Sequence, residues 1–116
     1  MGRLVETLAD YQRFAGVTAN SELDDKMNLA VLSLGVAGEA GEVADYVKKH
    51  LGHGHKLDID KLAKELGDVL WYVAVLSSAV GLTLQDVAQR NVDKLAARYP
   101  EGFSELASQS RKAHDV

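Results

Sequence analysis

The sequence predicts an all-α, four-helix bundle-like domain with a short C-terminal extension. The chain has one proline in 116 residues, and 47% of its residues are hydrophobic, with many alanines, leucines and valines that favour helix over sheet. Apolar residues recur at helical spacing in four segments, and no segment shows the alternation of a half-buried strand. The connections between the segments are short, which is typical of a bundle.

The first two helices are predicted from apolar spacing and from residues that suit helix ends. The positions that share one face of the first helix are Leu4, Leu8, Tyr11 and Ala15. That helix is expected to end near Gly16. Ser21 and Asp24 have the spacing of an acidic capping box, so a second helix is predicted from there to about His50.

The second helix is unusual in composition. Between residues 27 and 37 apolar side chains occupy nearly every side, so we expect this stretch to be buried on several sides. Gly35, Gly38 and Gly41 lie within the helix, although each glycine costs about 1 kcal/mol relative to alanine. We therefore expect another element to approach the helix closely there.

Two further helices complete the bundle. Asp58 caps a third helix that ends near Val80, and Thr83 with Asp86 starts a fourth that ends near Tyr99, before Pro100. A short helix is expected after Ser104, followed by disorder. Residues 51–57 are predicted to form an exposed loop, and its histidines are His53 and His55.

Composition excludes several classes of function. A net charge of −4 gives no basic patch for nucleic acid or an anionic membrane. Cysteine is absent, which excludes disulfides and thiolate metal sites and favours the cytoplasm. The apolar stretch 69–82 is too short to span a bilayer, and Glu6 comes too early for a secretory leader.

Two pairs of acids carry the strongest chemical signal. Glu39 and Glu42 lie one turn apart on the second predicted helix, and Glu65 and Asp68 lie one turn apart on the third. A short loop should make these helices antiparallel, so the two pairs can face each other. The neighbours that we expect to be buried are Ala37, Ala40, Val43, Leu66, Val69 and Leu70.

Four carboxylates among apolar residues require neutralisation. They would take up protons unless cations were bound. A ligand set made only of oxygens suits Mg²⁺ and argues against zinc. The alternative is that the acids belong to an ordinary solvated helix surface.

Other side chains suit a bound polyphosphate. Asn91, Lys94 and Arg98 share one face of the fourth predicted helix, where they can contact phosphate oxygens. The alternative for this face is solvation with surface salt bridges. Tyr72 follows Asp68 by one turn and can orient a phosphate or stack on a base, whereas Trp71 is interpreted as a core or interface residue.

Together these motifs resemble the MazG-like, all-α nucleoside triphosphate pyrophosphohydrolases. The matching segments are residues 34–45, 64–72, 91–95 and 98–103, and Tyr11-Gln12 resembles the opening segment. The resemblance spans roughly residues 8–103. It implies a catalytic domain over 1–103 and a tail over 104–116. Gly38 departs from the family pattern, which begins with two adjacent glutamates.

The resemblance implies hydrolysis of a nucleoside triphosphate, often a deoxynucleotide, to the monophosphate and pyrophosphate. It also implies Mg²⁺ (sometimes Mn²⁺) at Glu39, Glu42, Glu65 and Asp68, and a homodimer or homotetramer. Glu39 or Glu42 would serve as the general base for water. Two alternatives stay open: a related enzyme that cleaves phosphoribosyl-ATP or an alarmone, and a non-catalytic helical interaction module that binds a metal structurally.

Overall fold

The structure, a computed structural model, describes residues 3–110 and has five helices in that range. They are α1 (Leu8–Val17), α2 (Asp25–His53), α3 (Ile59–Ala79), α4 (Leu84–Arg98) and α5 (Glu105–Gln109). These residues form no strand beyond an isolated bridge between Pro100 and Gly102, so the predicted all-α class is confirmed. The expected disorder of the tail concerns residues 111–116, which lie outside the described range.

Taken one at a time, none of these five helices combines the length and the apolar composition needed to cross a membrane. The pair α3 and α4, bent by 101° at the break between them, passes that test of length and composition only when the two are taken together.

The first helix begins later than the apolar spacing predicts. α1 starts at Leu8 because the side chain of Thr7 accepts a hydrogen bond from the backbone amide of Asp10 at 3.0 Å. This bond satisfies an amide that has no partner within the helix. Leu4 therefore precedes the helix and is exposed. The prediction that Leu4 lies on the apolar face of the helix with Leu8 is wrong.

The start of the second helix also differs from the prediction. α2 begins at Asp25 because Asp24, not Ser21, is the N-cap, and its carboxylate accepts from the Met27 amide at 2.8 Å. The preceding residues form a turn in which the side chain of Asn20 accepts from the Glu22 amide. The prediction that Ser21 is the N-cap, with Asp24 as the third residue after it, is therefore wrong.

The α2–α3 connection is shorter than predicted, because α2 continues past His50 to His53. Gly54 ends it with φ 73°, a left-handed conformation that glycine adopts without steric cost. At the start of α4, the predicted capping box between Thr83 and Asp86 is present in both directions.

Helices α2 and α3 form an antiparallel hairpin, as the short connection predicts. The hydroxyl of Tyr46 on α2 accepts from the Asp58 amide at 2.8 Å and donates to the Asp58 carbonyl at 3.3 Å. These two hydrogen bonds connect the last third of α2 to the N-terminus of α3 and fix the register of the hairpin near its loop.

One glycine of α2 makes the close approach that we expected. A Cβ atom built on Gly35 would overlap the ring of Tyr72, which packs closely against the helix there. The ring of Tyr72 also packs against that of Trp71 in a T-shaped arrangement, with ring centroids 4.9 Å apart. Gly38 and Gly41 face open space within the described chain, so close packing does not explain them.

Gln12 joins α1 to the turn between α3 and α4. Its amide nitrogen donates to the Ser78 hydroxyl at 2.8 Å and to the Leu82 carbonyl at 2.9 Å. Its amide oxygen accepts from the Leu84 backbone at 2.8 Å. One side chain therefore satisfies polar groups on both sides of the turn and positions α4.

The single chain has a small core. Among residues 3–110, the buried apolar side chains are Ala15, Leu32, Ala74, Val75 and Leu84. The prediction that α2 is buried on several sides is wrong for the chain alone, because Leu34 is 72% exposed and Leu32 is the one buried residue of this helix. The radius of gyration is 17.2 Å, against about 13 Å for a compact domain of similar size.

Candidate metal centre

Three carboxylates meet near the middle of the α2–α3 hairpin. Glu39 from α2 and Glu65 and Asp68 from α3 each offer an oxygen, and these oxygens lie within 4.8 Å of one another. We call these three residues the acid group. Glu39 and Glu65 are half-buried and Asp68 is exposed. A set of carboxylate oxygens at this spacing fits a hard divalent cation that keeps water ligands, such as Mg²⁺.

Glu39 is influenced by the charges of three other acids. Desolvation, followed by the negative charges of Asp68, Glu65 and Glu42, raises the pKa of the Glu39 carboxyl above its usual value. Like charges at short range disfavour ionisation. A divalent cation would reverse this effect by favouring the charged form, so the acid group has an unfavourable charge state that a metal relieves.

The sequence did not single out Tyr11 as a residue of this site. Its hydroxyl approaches the Gly67 carbonyl at 3.5 Å, which places α1 beside the acid group. Burial and then the charge of Asp68 raise the pKa of the Tyr11 phenol. Its place on the apolar face of α1 identified Tyr11 only as a packing residue, and no local signal showed that α1 crosses α3 at this point.

Glu42 is exposed and lies outside the acid group, although its charge still acts on Glu39 and on Lys49. The neighbours that were expected to be buried do not enclose the acids. Leu66 is 51% exposed and Leu70 is 39% exposed in the single chain. The prediction of an apolar interior around the acids is therefore wrong for one chain, because α2 and α3 cover each other on one side only.

An apolar pocket of about 220 Å³ lies on one side of the acid group, beside the C-terminal half of α3. Trp71 and Tyr72 form part of its wall, and the indole nitrogen of Trp71 donates to the Thr18 hydroxyl at 2.8 Å. Asn20 and Asn28 add amide groups to an otherwise mostly apolar lining. The pocket therefore combines flat aromatic surface with a few hydrogen-bonding groups.

A second cavity, which we call the charged basin, lies on the opposite side of the acid group. Its volume is about 240 Å³, and its lining includes Glu42, Asp45, Tyr46, Lys49, Lys61 and Glu65. His55 also lines it, which places one of the two loop histidines beside the site. His53 lies in the last turn of α2, with its ring 6.3 Å from that of His55.

Two of the three predicted phosphate contacts of the fourth helix, Asn91 and Lys94, are not linked to the acids within the described residues. Asn91 and Lys94 are exposed on α4, and Arg98 is half-buried at its end. Among residues 3–110 no hydrogen bond or ion pair links Asn91 or Lys94 to the acid group, and the charges that act on Glu39 come from α2 and α3. Helix α4 packs instead against α1 and α3.

Comparison with known proteins places these features in a family. Residues 28–103 match the family model of the MazG nucleotide pyrophosphohydrolase domain. The chain is also 38% identical to the Gene 37 protein of Mycobacterium phage L5 over 94 residues, which cover 78% of this chain and 82% of the phage protein. No solved structure matches the chain.

Proposed function

The chain belongs to the MazG nucleotide pyrophosphohydrolase domain family, and we propose that it hydrolyses a nucleoside triphosphate, preferably a deoxynucleotide. One water is consumed, the linkage between the α and β phosphates breaks, and the products are a nucleoside monophosphate and pyrophosphate. The observation that carries this proposal is the convergence of Glu39, Glu65 and Asp68 between an apolar pocket and a charged basin.

The acid group is proposed to hold the divalent cation on which the family depends, with Mg²⁺ as the natural ion and Mn²⁺ as a substitute. When bound, that cation supplies positive charge against the phosphates and makes water more acidic. Glu42 extends the carboxylate set at the edge of the charged basin and remains a candidate fourth ligand.

We assign proton removal from the attacking water to Glu42. It lies outside the acid group but near Glu39, so it can accept a proton without giving up a place in that group. It is also exposed, which leaves it accessible to water. Glu39 is the other glutamate proposed for catalysis, and desolvation and the negative charges around it raise the pKa of its carboxyl.

The apolar pocket is the proposed site of the nucleobase. Trp71 and Tyr72 supply flat surfaces beside Asp68, and Asn20 and Asn28 supply amides that can read the edge of a base. The proposed contacts with phosphate oxygens are Asn91, Lys94 and Arg98, which are carried over from the family motif.

We further propose that the enzyme works as a homodimer or homotetramer. The large apolar side chains that a single chain leaves exposed include Met27, Leu29, Val31, Leu34, Leu66, Leu70, Val92 and Leu95. Apolar surface on this scale marks an interface in a soluble protein. A second copy would complete the core that the chain alone lacks and would bury the acids more deeply.

The test is a pyrophosphate-release assay against the eight common NTPs and dNTPs with Mg²⁺, with and without EDTA. We expect metal-dependent release of equal amounts of monophosphate and pyrophosphate. At saturating Mg²⁺, Glu42→Gln should lower turnover by at least about a hundredfold, because a general base contributes about 10²–10⁴. Thermal stabilisation by Mg²⁺ with no cleavage of any nucleotide would instead favour the non-catalytic module.

A further inference from the structure

Three of the four histidines of the chain lie close together at the C-terminal end of α2. His50 and His53 belong to the last turns of the helix and are three residues apart, so their side chains lie on one face. His55 follows Gly54, the left-handed residue that ends the helix. We call His50, His53 and His55 the histidine group, and none of them takes part in the proposed hydrolysis.

The chain that leaves α2 folds back onto the helix and holds His55 beside His50. The backbone amides of Gly54 and His55 both donate to the Lys49 carbonyl, the second at 3.1 Å. The His55 carbonyl in turn accepts a hydrogen bond from Nδ1 of His50 at 2.7 Å. The backbone of His55 is therefore fixed against the last turns of α2, although its side chain is exposed.

The hydrogen bond of His50 decides which of its nitrogen atoms can bind a metal. A carbonyl oxygen only accepts, so Nδ1 of His50 carries the proton in this contact. In the neutral imidazole the lone pair then lies on Nε2, which is free to act as a ligand. A backbone carbonyl that accepts from the second ring nitrogen is a usual partner of a metal-bound histidine. His50 is thus held in the tautomer that a metal requires.

The rings of His53 and His55 lie side by side at the same helix end. Their centroids are 6.3 Å apart and their planes meet at 79°. Two imidazoles on one tetrahedral ion have centroids about 5 Å apart, because each metal–nitrogen distance is about 2 Å. Among residues 3–110 only the acid group already has three ligand atoms within 4.8 Å, so the histidines must close on an ion. Both side chains are exposed, so rotation about their side-chain bonds can supply this movement.

The electrostatics of this helix end favour a cation. The carbonyl groups of the last turn of α2 give that end a partial negative charge. Lys48 and Lys49 lie nearby, but the ammonium groups of both contact the Asp45 carboxylate, at 3.3 and 2.9 Å, which offsets part of their charge. Lys56 is exposed, so solvent screens it. Imidazole nitrogens suit Zn²⁺, whereas the carboxylate oxygens of the acid group suit Mg²⁺.

We propose that the histidine group binds one Zn²⁺ ion, through Nε2 of His50 and one ring nitrogen each of His53 and His55, with water completing the coordination. This site is separate from the acid group and does not depend on the proposed function. His55 also lines the charged basin, so a bound ion would hold that wall of the basin against the end of α2.

The test is calorimetric titration of the full chain with Zn²⁺, in excess Mg²⁺ and in a buffer that does not bind zinc. We expect one equivalent of Zn²⁺ per chain. His50→Gln, His53→Gln and His55→Gln should each weaken zinc binding by at least about tenfold, since the loss of even an outer partner of a ligand costs about 10–100-fold. Asp68→Asn, which alters the acid group, should keep the affinity within about twofold of wild type.

His114→Gln is the matched control, because it removes the one histidine outside the histidine group. Zinc affinity that falls equally in this control and in the three other variants would overturn the inference. A loss confined to Asp68→Asn would also overturn it, because zinc would then bind at the acid group.

Nuclear magnetic resonance of the unaltered protein gives a second test that needs no substitution. Zn²⁺ should shift the ring-proton resonances of three of the four histidines, and shifts of none or of only one would contradict the proposal. Pyrophosphate release with Mg²⁺ alone measures the proposed function separately, so the failure of either proposal is distinguishable from failure of the other.

Discussion

The close contact between Gly35 and Tyr72 gives a stability prediction of defined sign. In Gly35→Ala the new methyl carbon would lie 2.6 Å from Cζ of Tyr72 and closer still to two other ring atoms, so the ring must move by roughly 1 Å. Overpacking of this kind costs about 3 kcal/mol, at the upper end of its usual range, because Trp71 stands against the same ring. Alanine returns about 1 kcal/mol of helix propensity. We expect a net loss of about 2 kcal/mol.

Gly38→Ala is the matched control, because that position faces open space and should gain about 1 kcal/mol. Urea unfolding at one fixed protomer concentration measures both variants, and the Gly35→Ala midpoint should fall by about 1 M. Adding Tyr72→Ala to Gly35→Ala should remove most of the overlap penalty, which a double-mutant cycle would detect. Equal stabilisation by the two alanines would refute the reasoning.

Three further predictions concern the turn between α3 and α4, the acid group, and the glutamate of the family pattern that Gly38 replaces. Gln12→Leu should lower the free energy of unfolding by about 2–3 kcal/mol, because it leaves the Leu84 amide unpaired; a loss under about 0.5 kcal/mol in urea unfolding would contradict this. The pKa of Glu39 is raised in the folded protein. The stability that this carboxyl contributes is therefore present when the pH is below its ordinary pKa of 4.5, and is lost as the pH rises through the pKa of the folded protein. In EDTA, the melting temperature of wild type should therefore fall relative to that of Glu39→Gln as the pH rises. A difference between the two melting temperatures that does not change with pH would contradict a raised pKa of Glu39. Gly38→Glu should lower the Mg²⁺ concentration for half-maximal turnover by about three- to tenfold, and an unchanged Mg²⁺ titration would show that the extra acid binds no ion.

Most of the secondary structure could be predicted because local chemistry determines it. The Thr83 and Asp86 capping box and the single proline after α4 define the ends of that helix within a few residues. The start of α2 could not be predicted as well, since Ser21 and Asp24 are both good N-caps and only the turn at Asn20 decides between them. The apolar character of α2 was read correctly, but a single chain has too few partners to bury it.

The candidate site could be predicted in part. Helical spacing places each pair of acids on one face, yet the register of the α2–α3 hairpin decides which carboxylates meet. That register depends on contacts between residues far apart in sequence, such as Gly35 with Tyr72 and Tyr46 with Asp58. No local pattern indicates them. Glu42 lies outside the acid group and stays a proposed ligand.

The central claim is that turnover depends on a cation held by the acid group. It is tested most directly by measuring Mg²⁺ binding and pyrophosphate release for Asp68→Asn beside Asp60→Asn, which removes an acid from the same helix outside the group. We expect Asp68→Asn to weaken Mg²⁺ binding and to lower turnover by at least about a hundredfold, with Asp60→Asn close to wild type. Turnover of Asp68→Asn within about threefold of wild type at saturating Mg²⁺ would contradict the account.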